Sequence, residues 1–338
     1  MTRNQRVTLK EIAAQTGVSM TTISKVLNGA TDVSSATRAL VEDSLRSSGY
    51  RRRKSRKRRE YIEVVLHELD GDWALAIIEG VRESAADVGL AITLSVTGDR
   101  RAPGPEWLDS VVRRGPTGII LLFAGISPEQ RAMLDARGIP FVIIDPAGDP
   151  APGIPSVGSA NWSGGLTATR HLLELGHRRI AAITGPEDVM CALARLDGYR
   201  AAMTSAGIEI EAGWIRYGDF QREAAERHAR ELLRLPDPPT AIFAGNDVQA
   251  LGVLHAARAI GLDVPRDLSV VGFDDLAVAG LASPRLTTIH QPLREMAEQA
   301  TRIVLQLLDD VPPEVTRVEL ATRLVVRDST APPPAIGV

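Results

Sequence analysis

From Tyr61 onward the chain alternates short apolar runs with amphipathic segments of helical period, and this alternation restricts the fold more than any other feature. The apolar runs lie at 61–66, 90–96, 117–123, 140–145, 179–184, 240–244 and 268–273. Helical periodicity covers about 73–88, 105–114, 128–137, 162–175, 192–206, 221–234 and 246–260. Strands separated by helices pair in parallel and need helices on both faces, so doubly wound parallel sheets are predicted. Seven such units exceed what one sheet usually carries, and the Pro/Gly-rich stretch 146–158 falls after the fourth. Two similar lobes follow, with Thr287–Pro292 crossing back between them, a long helix at about 293–309, and strand-like pieces at 315–320 and 323–327. The expected N-terminal lobe is 61–158 plus about 291–317, and the C-terminal lobe 159–290 plus about 318–330.

Ahead of this body stands a head of opposite charge. Residues 1–60 hold 14 Lys/Arg against 5 Asp/Glu, whereas the remainder holds 25 against 37. A basic head on an acidic body points to a polyanionic partner for the head alone. Thr8-Leu9-Lys10-Glu11 has the spacing of a capping box, in which a hydroxyl and a carboxylate three residues apart satisfy the free N–H groups of a helix start. That helix runs to about Gln15, and Thr16-Gly17-Val18 makes a tight turn. Ser19 caps a second helix, Met20 to about Leu27, with Ile23, Val26 and Leu27 inward. Ser34 caps a third, from about Ser35 to Ser48. Helix, short glycine turn and helix make a helix-turn-helix, expected over 1–50. The run RRRKSRKRR at 51–59, eight like charges in nine positions, reads as a basic linker over 51–60 that contacts phosphates.

Several functions are excluded on residue grounds. All four lysines (Lys10, Lys25, Lys54, Lys57) lie in the head, so the body has no amine for a phosphate loop or a Schiff base. It has no G-x-S-x-G, no H-E-x-x-H and no G-x-G-x-x-G after a strand, and its six histidines lack metal-ligand spacing. His171, His177 and the single cysteine, Cys191, read as packing or solvated residues, and Tyr199 as core. No apolar run reaches 18 residues and the N-terminus has no secretory pattern. The expectation is a cytoplasmic binding protein with no membrane span, cofactor or metal.

The segments VTLKEIAAQTGVSMTTISKVLNG and VSSATRALVEDSLRSSGY resemble the DNA-binding head of the lactose/galactose-repressor family of bacterial transcription regulators. HLLELGHRRIAAITGP, RLDGYRAAM, AIFAGNDVQALGVL, DLSVVGFDDL and SPRLTTIHQPLREMA resemble that family's effector domain, in its order and spacing. The resemblance implies an all-α helix-turn-helix head on an α/β two-lobed core of the type I periplasmic-binding-protein kind. It also implies a homodimer or tetramer that binds a near-palindromic operator in double-stranded DNA. Binding of a small molecule, usually a mono- or oligosaccharide, then changes operator affinity. Members from actinobacteria, which this chain resembles most, often answer to xylo- or cello-oligosaccharides.

Met20, Thr21 and Lys25 project from the second helix opposite its buried face, and the family's matching positions read base edges. Thr8, Ser19, Thr22 and Asn28 are placed for phosphates, with Arg51, Arg52 and Arg53 from the linker. Most family members wedge a hinge leucine into the minor groove. Here no leucine occurs between Leu45 and Leu66, and the expected substitute is arginine in or beside that groove. In the body, ligands of two-lobed α/β proteins sit at strand carboxyl ends. The candidates are Asp145, Arg195, Asn246, Asp274 and Gln291, with Arg195 and Asp274 as the main clamp. Trp73, Trp162 and Phe220 are the candidate stacking rings. Asp247 has a plainer reading as a helix cap, and Ala160 stands where many members have aspartate. The helix at 73–88 is the candidate dimer surface.

The reading is a sugar-responsive transcriptional regulator, most simply a repressor of carbohydrate-utilisation genes and not an enzyme. A free-standing sugar-binding protein would suit the body but not the head. An activator or a corepressor-type regulator fits the same residues.

Overall fold

The computed structural model describes residues 7–27, 30, 32–48, 50, 61–69, 71–98 and 103–334. The head is α1 (Leu9–Thr16), α2 (Met20–Leu27) and α3 (Ser35–Ser47). Both halves of the capping box form: Thr8 accepts from the Glu11 N–H, and the Glu11 carboxylate accepts from the Thr8 N–H at 2.7 Å. Gly17 closes α1 in the left-handed conformation that glycine adopts without strain, at φ 68°. Ser19 and Ser34 accept from the N–H groups of Thr22 and Thr37 at the starts of α2 and α3. Ile12, Ile23, Val26, Leu27, Val41, Leu45 and Tyr50 form the head's core.

The N-terminal lobe contains β1 (Tyr61–Leu66), α4 (Asp72–Ala86), β2 (Ala91–Val96), α5 (Pro105–Arg114), β3 (Gly118–Leu122), α6 (Pro128–Arg137), β4 (Phe141–Ile144) and β5 (Ser156–Ser159). The C-terminal lobe follows with α7 (Asn161–Glu174), β6 (Ile180–Thr184), α8 (Met190–Ser205), β7 (Ile215–Tyr217), α9 (Arg222–Leu232), β8 (Ala241–Ala244), α10 (Asp247–Ala259), β9 (Ser269–Asp274), α11 (Ala277–Leu281) and β10 (Thr287–His290). The chain then returns to the first lobe as α12 (Leu293–Leu308) and β11 (Arg317–Leu320), and ends in the second as β12 (Arg323–Val325).

The sheets run β11-β5-β4-β3-β1-β2 and β12-β10-β9-β8-β6-β7. All pairs are parallel except β10 with β12. The interior strands β3 (GIILL) and β6 (IAAIT) are buried throughout, as helices on both faces require. The edge strand β2 is half exposed. The order reverses between β1 and β3 in one sheet and between β6 and β8 in the other, and each reversal opens a crevice at the strand carboxyl ends.

One boundary differs from the sequence expectation. β11 pairs along its whole length with β5, so residues 318–320 belong to the N-terminal lobe, and the first crossing follows Ser159. The segment 287–290 is a strand of the second sheet, and the crossing back follows it.

The second lobe depends on a close helix pair. A Cβ at Gly165 of α7 would lie 2.1 Å from the Arg195 carbonyl oxygen of α8, and one at Gly198 would lie 2.2 Å from the Trp162 carbonyl oxygen. Absence of side chains at both positions lets the helices touch backbone to backbone. Behind them, Tyr199 is fully buried and donates to the Ile180 carbonyl at 2.7 Å, a core role as expected.

Asp247 is fully buried and is not the helix cap. Asn246 caps α10, accepting from the Gln249 N–H at 2.7 Å. Asp247 instead accepts from the Thr288 hydroxyl at 2.5 Å and the Leu276 N–H at 2.8 Å, tying α10 to β10 and α11. Burial raises its carboxyl from 3.8 to about 7. An acid that holds its proton more tightly folded than unfolded adds stability at low pH, and that stability is lost as pH rises from near 4 through 7. Between pH 5 and pH 8 the melting temperature of the native protein should therefore fall by several degrees relative to Asp247→Asn, as scanning calorimetry would show.

Candidate functional site

The crevice between the lobes is an open cleft with a cavity of about 230 Å³. Its N-terminal wall is Leu66 at the end of β1, His67 and Glu68 after it, Asp72 and Trp73 at the start of α4, Phe123 after β3 and Asp145 after β4. Its C-terminal wall is Cys191 and Arg195 of α8, Asp219, Phe220 and Gln221 before α9, Asn246 before α10, and Asp274 at the end of β9.

Arg195 lies at the polar end, with only 3% of its surface exposed. Its Nε donates to Asn161 Oδ1 at 2.8 Å and its Nη1 to the Gly245 carbonyl at 2.6 Å. The guanidinium lies 3.7 Å from the centre of the Phe273 ring. Asp274 Oδ1 stands 3.4 Å from Nη1, an ion pair without hydrogen-bond geometry, and this buried oxygen has no hydrogen-bond partner among the described residues. Asn161 also donates to Asp145 Oδ1 at 3.5 Å and to the Ser159 carbonyl at 3.1 Å, linking the carboxylate of one lobe to the guanidinium of the other. Burial pushes both Asp145 and Asp274 above the ordinary carboxylate range, and Arg195 opposes that rise. Burial likewise pushes the Cys191 thiol up, so it stays protonated.

The other end is aromatic. Phe123 is the central ring: its centroid lies 6.0 Å from His67, 6.3 Å from Trp73 and 6.1 Å from Phe220, the last two edge-on. The Trp73 indole N–H donates to Gln291 Oε1 at 3.2 Å, and Gln291 Nε2 donates to Ser159 Oγ at 2.9 Å. Backbone strain gathers around the same space. Phe123, Asp145, Phe220 and Asp274 all have positive φ, at 48°, 48°, 67° and 106°, which L residues seldom adopt.

Of the body residues singled out by sequence, Trp73, Asp145, Arg195, Phe220, Asn246 and Asp274 line this crevice. Gln291 stands behind it, holding the Trp73 indole. Trp162 does not belong: its side chain is 45% exposed, because the start of α7 turns Asn161 inward and its neighbour outward. Cys191, read as a packing or solvated residue, lines the wall. His177 is a packing residue, bonded to Thr240 at 2.9 Å and Ser269 at 3.0 Å. His67, Phe123 and Asn161 were missed.

In the head, Met20, Thr21 and Lys25 are exposed on one side of α2, with Ile23 and Val26 buried on the other. Lys25 Nζ pairs with Asp32 at 2.5 Å on the surface, so it is within reach of an outside partner. The Ser19 and Thr22 hydroxyls bond each other at 2.9 Å at the exposed start of α2, and Thr8 opens α1. Asn28, Arg51, Arg52 and Arg53, and with them the minor-groove expectation, lie outside the described residues.

A helix-turn-helix with an open reading face, joined to a two-lobed body with a polar and aromatic crevice, defines a ligand-binding DNA-binding protein. Residues 8–53 match the family described as bacterial regulatory proteins, lacI family, and residues 169–330 match the periplasmic binding protein-like domain. The HTH-type transcriptional regulator CelR of Thermobifida fusca is 34% identical over 341 residues, spanning 97% of this chain and 100% of the relative. The HTH-type transcriptional repressor CytR of Escherichia coli K12 is 33% identical, spanning 88% and 89%. Among solved structures, a transcriptional regulator CelR–cellobiose complex superimposes with a TM-score of 0.73 at 34% identity, covering 96% of this chain and all of that one. The chain belongs to the lacI family of bacterial regulatory proteins. It is a DNA-binding transcriptional regulator and not an enzyme. Among the described residues no helix is long and apolar enough to cross a membrane.

Proposed function

We propose that this regulator is a cytoplasmic repressor of carbohydrate-utilisation genes whose operator affinity changes when a sugar binds between the lobes. The observation that carries this reading is the division of the crevice into a buried Asp145–Arg195–Asp274 end and a Trp73–Phe123–Phe220 end. Carboxylates accept from sugar hydroxyls while a guanidinium donates to them, and ring faces pack on the apolar faces of pyranoses. Asp274 Oδ1, buried without a hydrogen-bond partner among the described residues, is an acceptor waiting for a hydroxyl donor. Asn246 supports the same end. The cellobiose named for the CelR complex favours a disaccharide of the cello- type. Calorimetric titration with cellobiose, xylobiose and ribose tests this: one should bind at micromolar affinity, and binding of none would reject the sugar reading.

Met20, Thr21 and Lys25 read base edges, and Thr8, Ser19 and Thr22 contact phosphates. Lys25→Ala should weaken operator binding about tenfold and relax preference at one base pair, because a lysine on a guanine edge contributes about 1–3 kcal/mol of discrimination. Competition between operator variants, read by fluorescence anisotropy, would show it. A uniform loss at every sequence would make Lys25 a phosphate contact instead.

The working unit is a homodimer on a near-palindromic operator. Leu75 on α4 and Leu94 and Val96 on the edge strand β2 are 54%, 40% and 56% exposed apolar residues of the N-terminal lobe. A second copy against α4 and β2 would cover them.

A further inference from the structure

One buried contact lies between head and body, away from the crevice. Arg137, the last residue of α6, is only 8% exposed. Its Nη2 donates to Glu42 Oε1 of α3 at 3.4 Å and to the Val26 carbonyl at 3.5 Å, near the C-terminus of the reading helix α2. A cation suits that helix end. Beside it, Ala136 is buried in the head's own core cluster. The contact leaves Met20, Thr21 and Lys25 open. Its reach into the body is short: α6 lies between β3, followed by Phe123, and β4, followed by Asp145, both crevice residues.

We propose that α6 is a docking platform for the DNA-binding head, with Arg137 as its positioning residue, so that the N-terminal lobe sets the head's orientation directly and not only through the linker. A guanidinium buried at a domain joint loses its hydration on docking, so the joint holds only while Glu42 and the Val26 carbonyl face it. Movement of β3 and β4 around a ligand shifts α6, and the head with it.

Hydrogen exchange of the full DNA-free chain tests the platform without reference to any ligand. Arg137→Ala and Glu42→Gln should each speed exchange of 20–27 and 35–47 about five- to tenfold, leaving 118–122 and 141–144 unchanged. The double variant should exchange no faster than either single one. Unchanged exchange in both single variants would overturn the proposal, as would an additive double variant or an equal rise in the two strands. Glu42→Gln leaves the body intact, so it still reads the contact if Arg137→Ala fails to fold. A second readout rests on the sugar reading. With cellobiose, both variants should bind the sugar as the native protein does, yet lose most of its effect on operator affinity; a full effect would overturn the proposal. Failure of the native protein to bind cellobiose or any other sugar tested would count against the sugar reading and leave the exchange result standing.

Discussion

Gly165→Val should destabilise the C-terminal lobe by about 3 kcal/mol or more and remove ligand binding with it. The first added carbon alone would lie 2.1 Å from the Arg195 carbonyl oxygen and 2.8 Å from its carbonyl carbon, backbone atoms that cannot rotate away. Relief requires α7 and α8 to part. Arg195 would then be carried off Asn161 and Gly245, the two groups that aim its guanidinium. Urea unfolding followed by circular dichroism measures the loss. Gly148→Ala is the control: this loop glycine has nothing within 4 Å of its added carbon and no left-handed backbone, so the variant should stay within about 0.5 kcal/mol of the native protein.

Arg195→Met should cost about 3–5 kcal/mol at pH 8 and weaken sugar binding more than a hundredfold. The apolar chain fills much of the same space, but Asn161 Oδ1 and the Gly245 carbonyl lose their donor. Asp145 and Asp274 also lose the positive charge that opposes the effect of their burial. Both carboxyls then hold protons to higher pH in the fold. A group whose folded pKa is raised gives stability that fades as pH climbs through that value, so the variant's deficit should shrink at pH 5 and widen at pH 8. Thermal unfolding across that range, beside calorimetric titration of the sugar, reads both effects. A deficit independent of pH would mean that Arg195 serves packing alone.

Much of this architecture is legible in the sequence, because its signals are local. Thr8 with Glu11 marks the start of α1 through two hydrogen bonds that depend only on residues three apart. The continuous apolar runs of β3 and β6 mark strands covered on both faces. The strands β5 (SVGS) and β7 (IRY) are too short and too polar to stand out, and only their neighbours make them strands. The crevice divides in the same way. Asp145, Arg195, Asn246 and Asp274 follow from strand ends and from the resemblance. The outward turn of Trp162 depends on how α7 begins after β5, and periodicity says nothing of that. Phe123 escaped because its left-handed backbone, at φ 48°, is what places its ring among three others, and a phenylalanine gives no hint of that conformation.

The central claim is that a sugar between the lobes controls the head's hold on DNA. Its most direct measurement begins with an operator fragment selected from genomic DNA by the purified full chain. Operator affinity is then followed by fluorescence anisotropy as cellobiose is added, for the native protein and for Asp274→Asn. The account predicts a change of at least tenfold in the native protein, about 1.4 kcal/mol of coupling, and little or none in the variant. Equal operator affinity with and without a sugar that calorimetry shows to be bound would contradict it.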